Sequence, residues 1–398
     1  MITVQKAKHI ILESTQDFGI EEIPFLKSAG RVLKEDIVAD RDFPPFNRVA
    51  MDGIAINHPF FEQGLRNFKI EGIQAAGSPQ QTLDNAANCY EVMTGAVLPN
   101  NCDTVIRYED VEINTQVATI TVDETKEGQN IHRKGSDKSK GTVLIKKNTI
   151  ISAAEIGVLA TVGKATVKVT KQPKVMIVST GNELVGVNEN PLDHQIRRSN
   201  VYTLVSLLND LKIPAKTAHI TDEKSVLKEK IESYLKEYDV LLFSGAVSKG
   251  KFDFLPEVLD ELGVQKLFHR VLQRPGKPFW AGATKGCNVF AFPGNPVSTF
   301  VNCMVYFYPW YYKSVGVQQE TQTAILAEDI TFKPNLTCFM QVKLSLENGH
   351  IYATPIQGNG SGDLASLVEA DGFIELPKTE EIGFKKGNVF PVLTYRSF

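Results

Sequence analysis

The fold of this chain is decided by the stretch VMIVSTGNE, residues 175–183. Four apolar residues, three of them β-branched, run into a small turn that contains Gly181. The pattern returns at residues 240–248 (VLLFSGAVS) and at residues 289–298 (VFAFPGNPVS). Short apolar runs separated by helical patterns are typical of parallel strands that are buried on both faces of a sheet. Ligands bind such sheets beyond the carboxyl ends of the strands, where glycine turns let backbone amides approach phosphate. We therefore expect the active site at these three turns.

The sequence around these runs continues the alternation of strand and helix. The predicted elements are a helix that begins at 199–200, a strand at 216–220, a helix at 223–238, a helix at 254–262, a strand at 267–273 and a helix after Pro296. Together with the three apolar runs they predict a central α/β domain with a parallel-rich sheet over residues 173–323.

The rest of the chain predicts three further domains. Apolar residues at helical spacing indicate a helix at the start of 1–41, a segment that we expect to form a discontinuous helical and mixed domain with 141–172. Residues 42–140 combine short strand patterns with frequent Gly and Pro turns, which is typical of an inserted β domain. Residues 324–398 return to strands and turns and predict a small β-barrel or sandwich. The fold class is therefore multidomain α/β plus β.

Composition restricts the classes of function. The 398 residues are 42% hydrophobic and 22% charged, with a formal net charge of -3, which argues against a nucleic-acid binder that relies on general electrostatic attraction. No apolar run approaches the roughly 20 residues that span a bilayer, and the start of the chain lacks the apolar core of a signal peptide. The five cysteines are scattered without a CxxC pair, so we expect a cytoplasmic protein with reduced thiols. From the net charge and the lack of an apolar span we expect no nucleic-acid or membrane partner.

Three carboxylates follow predicted parallel strands. Glu183, Asp222 and Asp253 are expected at one rim of the sheet, where they are suited to hold a hard cation such as Mg²⁺ and leave positions for phosphate oxygens. A single acidic residue at such a place serves equally well as a helix cap. All three on one edge favour a metal site, because carboxylates repel one another unless a cation neutralises them.

Two further loops on the same side of the sheet are candidates for anion binding. Arg274 and Lys277 flank a rigid Pro-Gly turn, which suits the presentation of charge to an oxyanion or a phosphate. Residues 293–298 place two prolines around Gly294 and Asn295 and predict a preset loop that opens a helix. Taken alone, the first is an ordinary charged surface turn and the second an ordinary helix-entry turn.

The β segment holds three short motifs, each of which is by itself an ordinary turn. They are Met51-Asp52-Gly53, Thr94-Gly95-Ala96 and the run from Arg133 to Asp137. In sequence order with the α/β turns, with Ser199-Asn200 and with Gly360-Ser361-Gly362, they form a set that covers nearly the whole chain. This ordered set resembles the molybdopterin molybdenumtransferase family, of the MoeA and gephyrin E-domain type.

The resemblance implies an architecture and a reaction. The architecture is a helical domain with an inserted β domain, a molybdopterin-binding-like α/β domain and a C-terminal β-barrel, in a homodimer whose subunits share each active site. The reaction is the insertion of molybdate into adenylylated molybdopterin, with release of AMP and formation of molybdenum cofactor. Transient contacts with the molybdopterin adenylyltransferase and with acceptor molybdoenzymes follow from that role.

The resemblance also assigns roles to residues. The implied catalytic residues are Asp52, Thr94, Glu183, Asp222 and Asp253, of which the last three would bind Mg²⁺. The implied substrate-binding residues are Arg133, Asp137, Ser179, Thr180, Gly181, Ser244, Gly245, Ser248, Arg274, Lys277, Pro293, Gly294, Asn295, Ser298 and Ser361. Asp52, Thr94, Arg133 and Asp137 are expected to act on the site of the other subunit.

The chain departs from the family pattern most clearly in the C-terminal domain. Gln341 stands near the expected place of a family arginine that is proposed to contact molybdate, so the molybdate site is expected to differ or to use Arg274 instead. Two other functions compete with the transferase. One is a non-catalytic scaffold, which the three retained carboxylates disfavour. The other is the adenylyltransferase, which needs only the α/β domain.

Overall fold

The computed structural model describes residues 1–245, 247, 253–380 and 382–396. The chain forms two units. The larger consists of Met1–Lys34, Asn148–Ser152 and Thr166–Phe398, and the smaller consists of Glu35–Lys147 and Ala153–Ala165. The boundaries of the four domains expected from the sequence remain a prediction.

The smaller unit is built on a six-stranded mixed sheet. In spatial order its strands are Thr104–Arg107, Gly53–Ile56, Cys89–Val92, Asn67–Gln74, Val117–Ile120 and Val111–Asn114. Side chains alternate between the faces of a strand, and Ile54 and Ile56 accordingly belong to one apolar cluster while Ala55 belongs to another. The inserted β domain expected from the turn signals is therefore a sheet with a core on each face.

Short elements complete the smaller unit. Antiparallel pairs join Arg48–Val49 to Ile131–His132 and Ile37–Val38 to Val143–Ile145. Its helices are His58–Glu62, Ala153–Thr161 and the 3-10 turn Tyr108–Asp110.

The larger unit contains the expected α/β sheet. In spatial order its six strands are Ala215–Ile220, Val175–Thr180, Val240–Ser244, Asn288–Phe292, Trp280–Ala283 and Gln265–His269. The first four run parallel and the last two pair antiparallel. This arrangement confirms a parallel-rich sheet.

Helices cover both faces of this sheet. Their bounds are Asn200–Asp210, Lys224–Glu237, Leu255–Glu261, Pro296–Asn302 and Tyr308–Ser314, with a π-helical segment at Cys303–Phe307. Ile177 packs in the cluster that contains Leu204, whereas the next residue, Val178, packs in the cluster that contains Leu227. Because successive strand residues face opposite sides, both faces need apolar side chains, which explains the continuous apolar runs.

Two details of the sheet differ from the sequence prediction. The strand expected at 267–273 is interrupted, because Arg270 has a φ of 73°, which a strand does not accommodate. Its two parts are Gln265–His269 and Gln273–Arg274. The strand Trp280–Ala283 was not predicted, since it contains no β-branched residue.

A closed five-stranded barrel forms the C-terminal part of the larger unit, which confirms the expected β-barrel. Around the ring the strands are Thr337–Glu347, His350–Pro355, Thr323–Leu326, Val389–Thr394 and Gly372–Leu376, the last of which pairs again with the first. The other elements are Ile330–Thr331 paired with Gly383–Phe384, and the helix Ser366–Glu369.

The N-terminal part of the larger unit begins with the helix Val4–Glu13. The hydroxyl of Thr3 caps this helix by accepting a hydrogen bond from the backbone N–H of Lys6. The strand Ile20–Pro24 then pairs antiparallel with Thr166–Thr170. Within the described ranges, no helix combines the length and the apolar character that crossing a membrane requires.

Candidate active site

A cavity of about 720 Å³ lies at the carboxyl ends of the parallel strands. The strand Val175–Thr180 lies between Ala215–Ile220, the strand of this sheet that follows it along the chain, and Val240–Ser244. The chain leaves Val175–Thr180 toward one edge of the sheet and leaves Val240–Ser244 toward the other, which opens a crevice beyond the ends of these two neighbouring strands. The cavity brings together eight predicted substrate-binding residues: Ser179, Thr180, Gly181, Ser244, Gly245, Pro293, Gly294 and Asn295. The predicted residue Ser248 lies outside the described residues.

All three predicted metal ligands line this cavity as well. Two hydrogen bonds tie the loop after the strand Val175–Thr180 to the loop that carries Asp222. Asn182 N–H donates to Asp222 Oδ2 (3.3 Å), and Asp222 N–H donates to Asn182 Oδ1 (3.1 Å). This reciprocal pair fixes the backbone that presents the Asp222 carboxylate.

The close approach of the Glu183 carboxylate to the backbone of the turn depends on a glycine. Gly181 has a φ of +136°, and a Cβ atom at this position would lie 2.5 Å from Oε2 of Glu183. Any other residue would displace the carboxylate or strain the turn. The glycine of the opening motif therefore allows an acidic side chain to fold back over the strand end.

The donor set fits a magnesium ion that is completed by substrate. Among the described residues, no three Asp, Glu, His or Cys side chains are grouped closely enough to hold a metal by themselves. Mg²⁺ in phosphate sites usually takes only one or two carboxylates, and its remaining ligands are substrate phosphates and water. Glu183, Asp222 and Asp253 on the wall of one cavity meet that smaller requirement.

Three buried polar atoms on the cavity wall have no hydrogen-bond partner among the residues that the structure describes. They are Thr180 Oγ1, Arg198 Nε and Asn200 Oδ1. A buried polar atom without a partner lowers the stability of the fold by about 1–3 kcal/mol. In native sites a ligand or a water molecule normally provides that partner. One acceptor, one donor and one hydroxyl on the same wall therefore indicate a polar ligand.

Asn200 organises the strand ends. Its Nδ2 donates to Ser244 Oγ (2.8 Å) and to the carbonyl oxygen of Gly294 (2.7 Å). The sequence predicts Ser199-Asn200 as a helix cap, and the helix does begin at Asn200, but Ser199 makes no side-chain capping bond. Sequence reasoning thus missed the role of Asn200, although the position was recognised.

The adjacent arginines were also missed. Arg197 and Arg198 line the cavity and add positive charge to a wall that also carries the acidic residues. The only signal in the sequence is two consecutive arginines before a helix start, a pattern that is usually a solvated surface feature.

Ser179 is held by His219, a histidine that no sequence pattern marks as functional. The hydroxyl Oγ of Ser179 lies 3.0 Å from Nδ1 of His219. Burial lowers the pKa of His219, and the charge of Arg198 lowers it further. The imidazole is therefore neutral at pH 7 and orients Ser179 by a hydrogen bond.

A second cavity, of about 270 Å³, adjoins the first. Both cavities are lined by Pro278, Pro293 and Asn295. The predicted residues on the walls of the second cavity are Arg274, Lys277, Pro293, Asn295, Ser298 and Ser361. Two cations and two hydroxyl groups around a small volume suit a compact oxyanion.

The barrel contributes directly to this second cavity. Asn295 Nδ2 donates to Ser361 Oγ (2.7 Å), and Val297 N–H donates to the carbonyl oxygen of Ser361 (3.1 Å). Gln341, in contrast, lines neither cavity: its Nε2 donates to Ser366 Oγ (2.9 Å), and its Oε1 is buried with no partner among the described residues. Arg274 therefore remains the candidate that stands in for the family arginine.

The remaining predicted residues belong to the smaller unit. Asp52 Oδ1 accepts two hydrogen bonds of 2.6 Å from Thr94, one from the hydroxyl and one from the backbone N–H. The hydroxyl bond is the main reason why the pKa of Asp52 is lowered, and the N–H bond adds to it. Asp52 is therefore a firmly ionised carboxylate.

Asp137 is held in a similar way. His132 Nε2 lies 2.7 Å from Asp137 Oδ1, and His132 Nδ1 lies 2.9 Å from the guanidinium nitrogen of Arg48. Because the guanidinium can only donate, Nδ1 accepts and Nε2–H donates to Asp137. Arg133, the residue after His132, is exposed.

Fold and cavities together define a class of protein, an α/β domain of molybdopterin-binding type with added β domains. Three family models match the chain in succession: the MoeA N-terminal region (domains I and II) at residues 2–163, a probable molybdopterin binding domain at 176–311, and the MoeA C-terminal region (domain IV) at 323–395.

Individual relatives agree with the family models. The molybdopterin molybdenumtransferase of Synechocystis is 40% identical over 98% of this chain and 99% of its own length. The enzyme of the same name from Staphylococcus aureus is 30% identical over 100% of this chain and 96% of its own length. A solved MoeA protein from Pyrococcus horikoshii superposes with a TM-score of 0.84 at 28% identity, over 99% of this chain and 100% of that one. The chain belongs to the MoeA family of molybdopterin molybdenumtransferases.

Proposed function

We propose that this protein inserts molybdate into adenylylated molybdopterin, releases AMP and so completes molybdenum cofactor. The observation that carries the proposal is the pair of adjoining cavities, one large and lined by strand-end turns, the other small and basic. A bulky phosphorylated substrate and a compact dianion need two such sites side by side. The dithiolene sulfurs of the substrate would receive the molybdenum, which is in keeping with five buried protein cysteines.

In the larger cavity the substrate would meet donors and acceptors that have no partner within the described part of the chain. Thr180, Arg198 and Asn200 each offer a buried polar atom. Gly245 has a φ of +110°, and a Cβ there would lie 3.0 Å from Thr180 Oγ1. A side chain would therefore crowd the hydroxyl, whereas glycine leaves room for a phosphate against the turn.

In the smaller cavity Arg274 and Lys277 would attract molybdate. A dianion needs compensating charge when it leaves water, and two cations on one short turn supply it. Ser298 and Ser361 add hydroxyl groups that can donate to its oxygens.

A magnesium ion is part of the proposal, held by one or two of the carboxylates Glu183, Asp222 and Asp253 and completed by substrate phosphates and water. Such an ion would neutralise charge on the phosphoanhydride of the substrate as AMP leaves. The chain itself provides the carboxylates, and the Asn182–Asp222 pair fixes one of them.

We further propose a cytoplasmic homodimer with shared active sites, in which Asp52, Thr94, Arg133 and Asp137 of one subunit complete the cavity of the other. Support comes from the smaller unit itself, where hydrogen bonds from Thr94 and His132 orient the exposed carboxylates of Asp52 and Asp137. Transient contacts with the adenylyltransferase that makes the substrate and with acceptor molybdoenzymes would protect a labile product.

The test is AMP release by the purified protein from adenylylated molybdopterin, with and without molybdate and Mg²⁺. The product should activate an apo-molybdoenzyme in the same mixture. A folded protein that releases no AMP would refute the proposal. ATP-dependent adenylylation of molybdopterin would instead identify an adenylyltransferase, and stoichiometric capture of a partner without turnover would identify a scaffold.

A further inference from the structure

Three polar side chains lie fully inside the core beneath the turn that carries Arg274 and Lys277. Gln273 is 1% exposed, Asn302 is 0% exposed and Tyr306 is 1% exposed. Such residue types are rarely buried unless hydrogen-bonded. We call these three residues the polar clamp.

The polar clamp holds two consecutive backbone carbonyls of the turn. Gln273 Nε2 donates to the carbonyl oxygen of Pro275 (2.9 Å) and to Asn302 Oδ1 (2.7 Å). Asn302 Nδ2 donates to the carbonyl oxygen of Gly276 (3.2 Å). Tyr306 O–H donates to Gln273 Oε1, so both amides have their oxygen and nitrogen positions fixed by partners.

An unusual stretch of helix supplies two members of the clamp. Asn302 ends the helix Pro296–Asn302, and Tyr306 lies in the π-helical segment Cys303–Phe307. Residues four apart lie on the same side of a helix, so Asn302 can bond the turn while Tyr306 bonds Gln273. Single π-helical turns are rare and occur frequently at functional sites.

The fit of the turn onto the clamp is tight. Gly276 has a φ of +87°, and a Cβ atom there would lie 2.7 Å from Asn302 side-chain atoms and 2.8 Å from Gln273 Nε2. The backbone of the turn therefore rests directly on the two amides. Arg274 and Lys277, on either side of it, line the small basic cavity.

Stability alone does not explain a buried polar network of this kind. Well-packed apolar residues often stabilise a core as well or better than buried polar groups. A fully connected network does, however, restrict the backbone that it binds to a single geometry. Here the restricted backbone is the one that sets the spacing between two cations.

We propose that Gln273, Asn302 and Tyr306 are positioning residues that fix the spacing of Arg274 and Lys277 around the oxyanion. The inference rests on the proposed function, because it takes molybdate as the anion of the small cavity. It assigns no contact with substrate to the clamp itself.

The experiment compares Tyr306→Phe and Asn302→Leu with wild type. Molybdate affinity is measured twice, as the half-saturating concentration in AMP release and by calorimetric titration of the protein with molybdate. Each variant should weaken molybdate binding roughly tenfold, the effect of one misplaced charge-assisted hydrogen bond. The half-saturating concentration of adenylylated molybdopterin should stay within about twofold of wild type.

Tyr311→Phe is the matched control. Tyr311 is also a buried tyrosine of the same helical region, but its hydroxyl donates to Gln172 Oε1 (2.8 Å), away from the turn. It should lower thermal stability about as much as Tyr306→Phe without a change in molybdate affinity. Unchanged molybdate affinity in both clamp variants would overturn the proposal, and so would an equal loss of affinity for both substrates.

The two proposals fail in distinguishable ways. If wild type binds molybdate but releases no AMP, the proposed function fails, and calorimetry still tests the clamp. If wild type turns over normally and the clamp variants bind molybdate like wild type, only the clamp fails.

Discussion

Asn200 and Ser244 are joined by a hydrogen bond of 2.8 Å from Nδ2 of the first to Oγ of the second. The bond connects the start of a helix to the end of a strand, and the same nitrogen also binds the carbonyl oxygen of Gly294. One amide thus ties two of the three strand-end turns together, while its oxygen, on the cavity wall, has no partner in the described ranges of the chain.

Asn200→Ala is expected to weaken binding of adenylylated molybdopterin. The change removes the hydrogen bonds to the turns at Ser244 and Gly294, and it also removes the buried acceptor Oδ1. The half-saturating concentration of this substrate should therefore rise roughly tenfold. Steady-state AMP release measures it. Ser206→Ala, an exposed position on the same helix, should behave like wild type, and equal kinetics for both variants would exclude a role for Asn200.

Asp253→Asn is expected to abolish turnover and to leave the fold intact. The substitution keeps size and shape but removes the negative charge that the larger cavity offers to a cation. Circular dichroism and thermal unfolding check the fold, and AMP release checks the activity. Asp260→Asn, on the exposed side of the following helix, is the control. Wild-type turnover in Asp253→Asn would remove Asp253 from the mechanism.

Removal of divalent metal is expected to stop AMP release reversibly. Chelation with EDTA followed by titration with Mg²⁺ measures the requirement. Glu183→Gln should raise the half-saturating Mg²⁺ concentration roughly tenfold, because a neutral amide is a poorer ligand than a carboxylate. Glu229→Gln, an exposed position on the helix Lys224–Glu237, should not change it. Full activity in EDTA would contradict the metal proposal.

Two inactive variants are expected to restore activity when co-expressed. If Asp52 acts on the site of the other subunit, a heterodimer of Asp52→Asn and Asp253→Asn contains one site with both substitutions and one site with neither. Random pairing then gives about a quarter of wild-type activity, since half of the dimers are mixed and each has one intact site. No recovery in purified, doubly tagged heterodimers would place Asp52 in the site of its own subunit.

Thr94→Val is expected to raise the pKa of Asp52 toward its ordinary value of 3.8. The hydroxyl bond favours the ionised form in the folded state, so it lowers the folded pKa and stabilises the fold above the unfolded pKa. That stabilisation is lost as the pH falls through the folded pKa. An NMR titration of the Asp52 carboxyl carbon measures the shift directly. An Asp52 pKa that is the same in both proteins would show that the hydroxyl bond does not form in solution.

The sequence predicts the α/β core well because burial on both faces leaves a direct trace. Runs such as 175–178 and 240–243 are continuously apolar, and a strand covered on both sides requires that pattern. The strand Trp280–Ala283 leaves no such trace. Pairing with Asn288–Phe292 and the packing of Trp280 in the core place it, and both depend on distant residues.

The candidate site is predicted only in part for a similar reason. Carboxylates after strands are visible in the sequence because their spacing follows the strands. Asn200 looks like a helix cap, and no pattern marks Asn302 at all, until the fold brings their partners close. Polar residues whose function is to hold backbone therefore escape a search that expects chemistry from charged side chains.

The wall shared by the two cavities has a thermodynamic consequence. Pro278, Pro293 and Asn295 face both volumes, and Asn295 is tied to the barrel through Ser361. A ligand that shifts this wall from one side changes the affinity on the other side, and linkage makes the factor the same in both directions. Molybdate should therefore alter the dissociation constant of adenylylated molybdopterin by the same ratio by which that substrate alters the dissociation constant of molybdate.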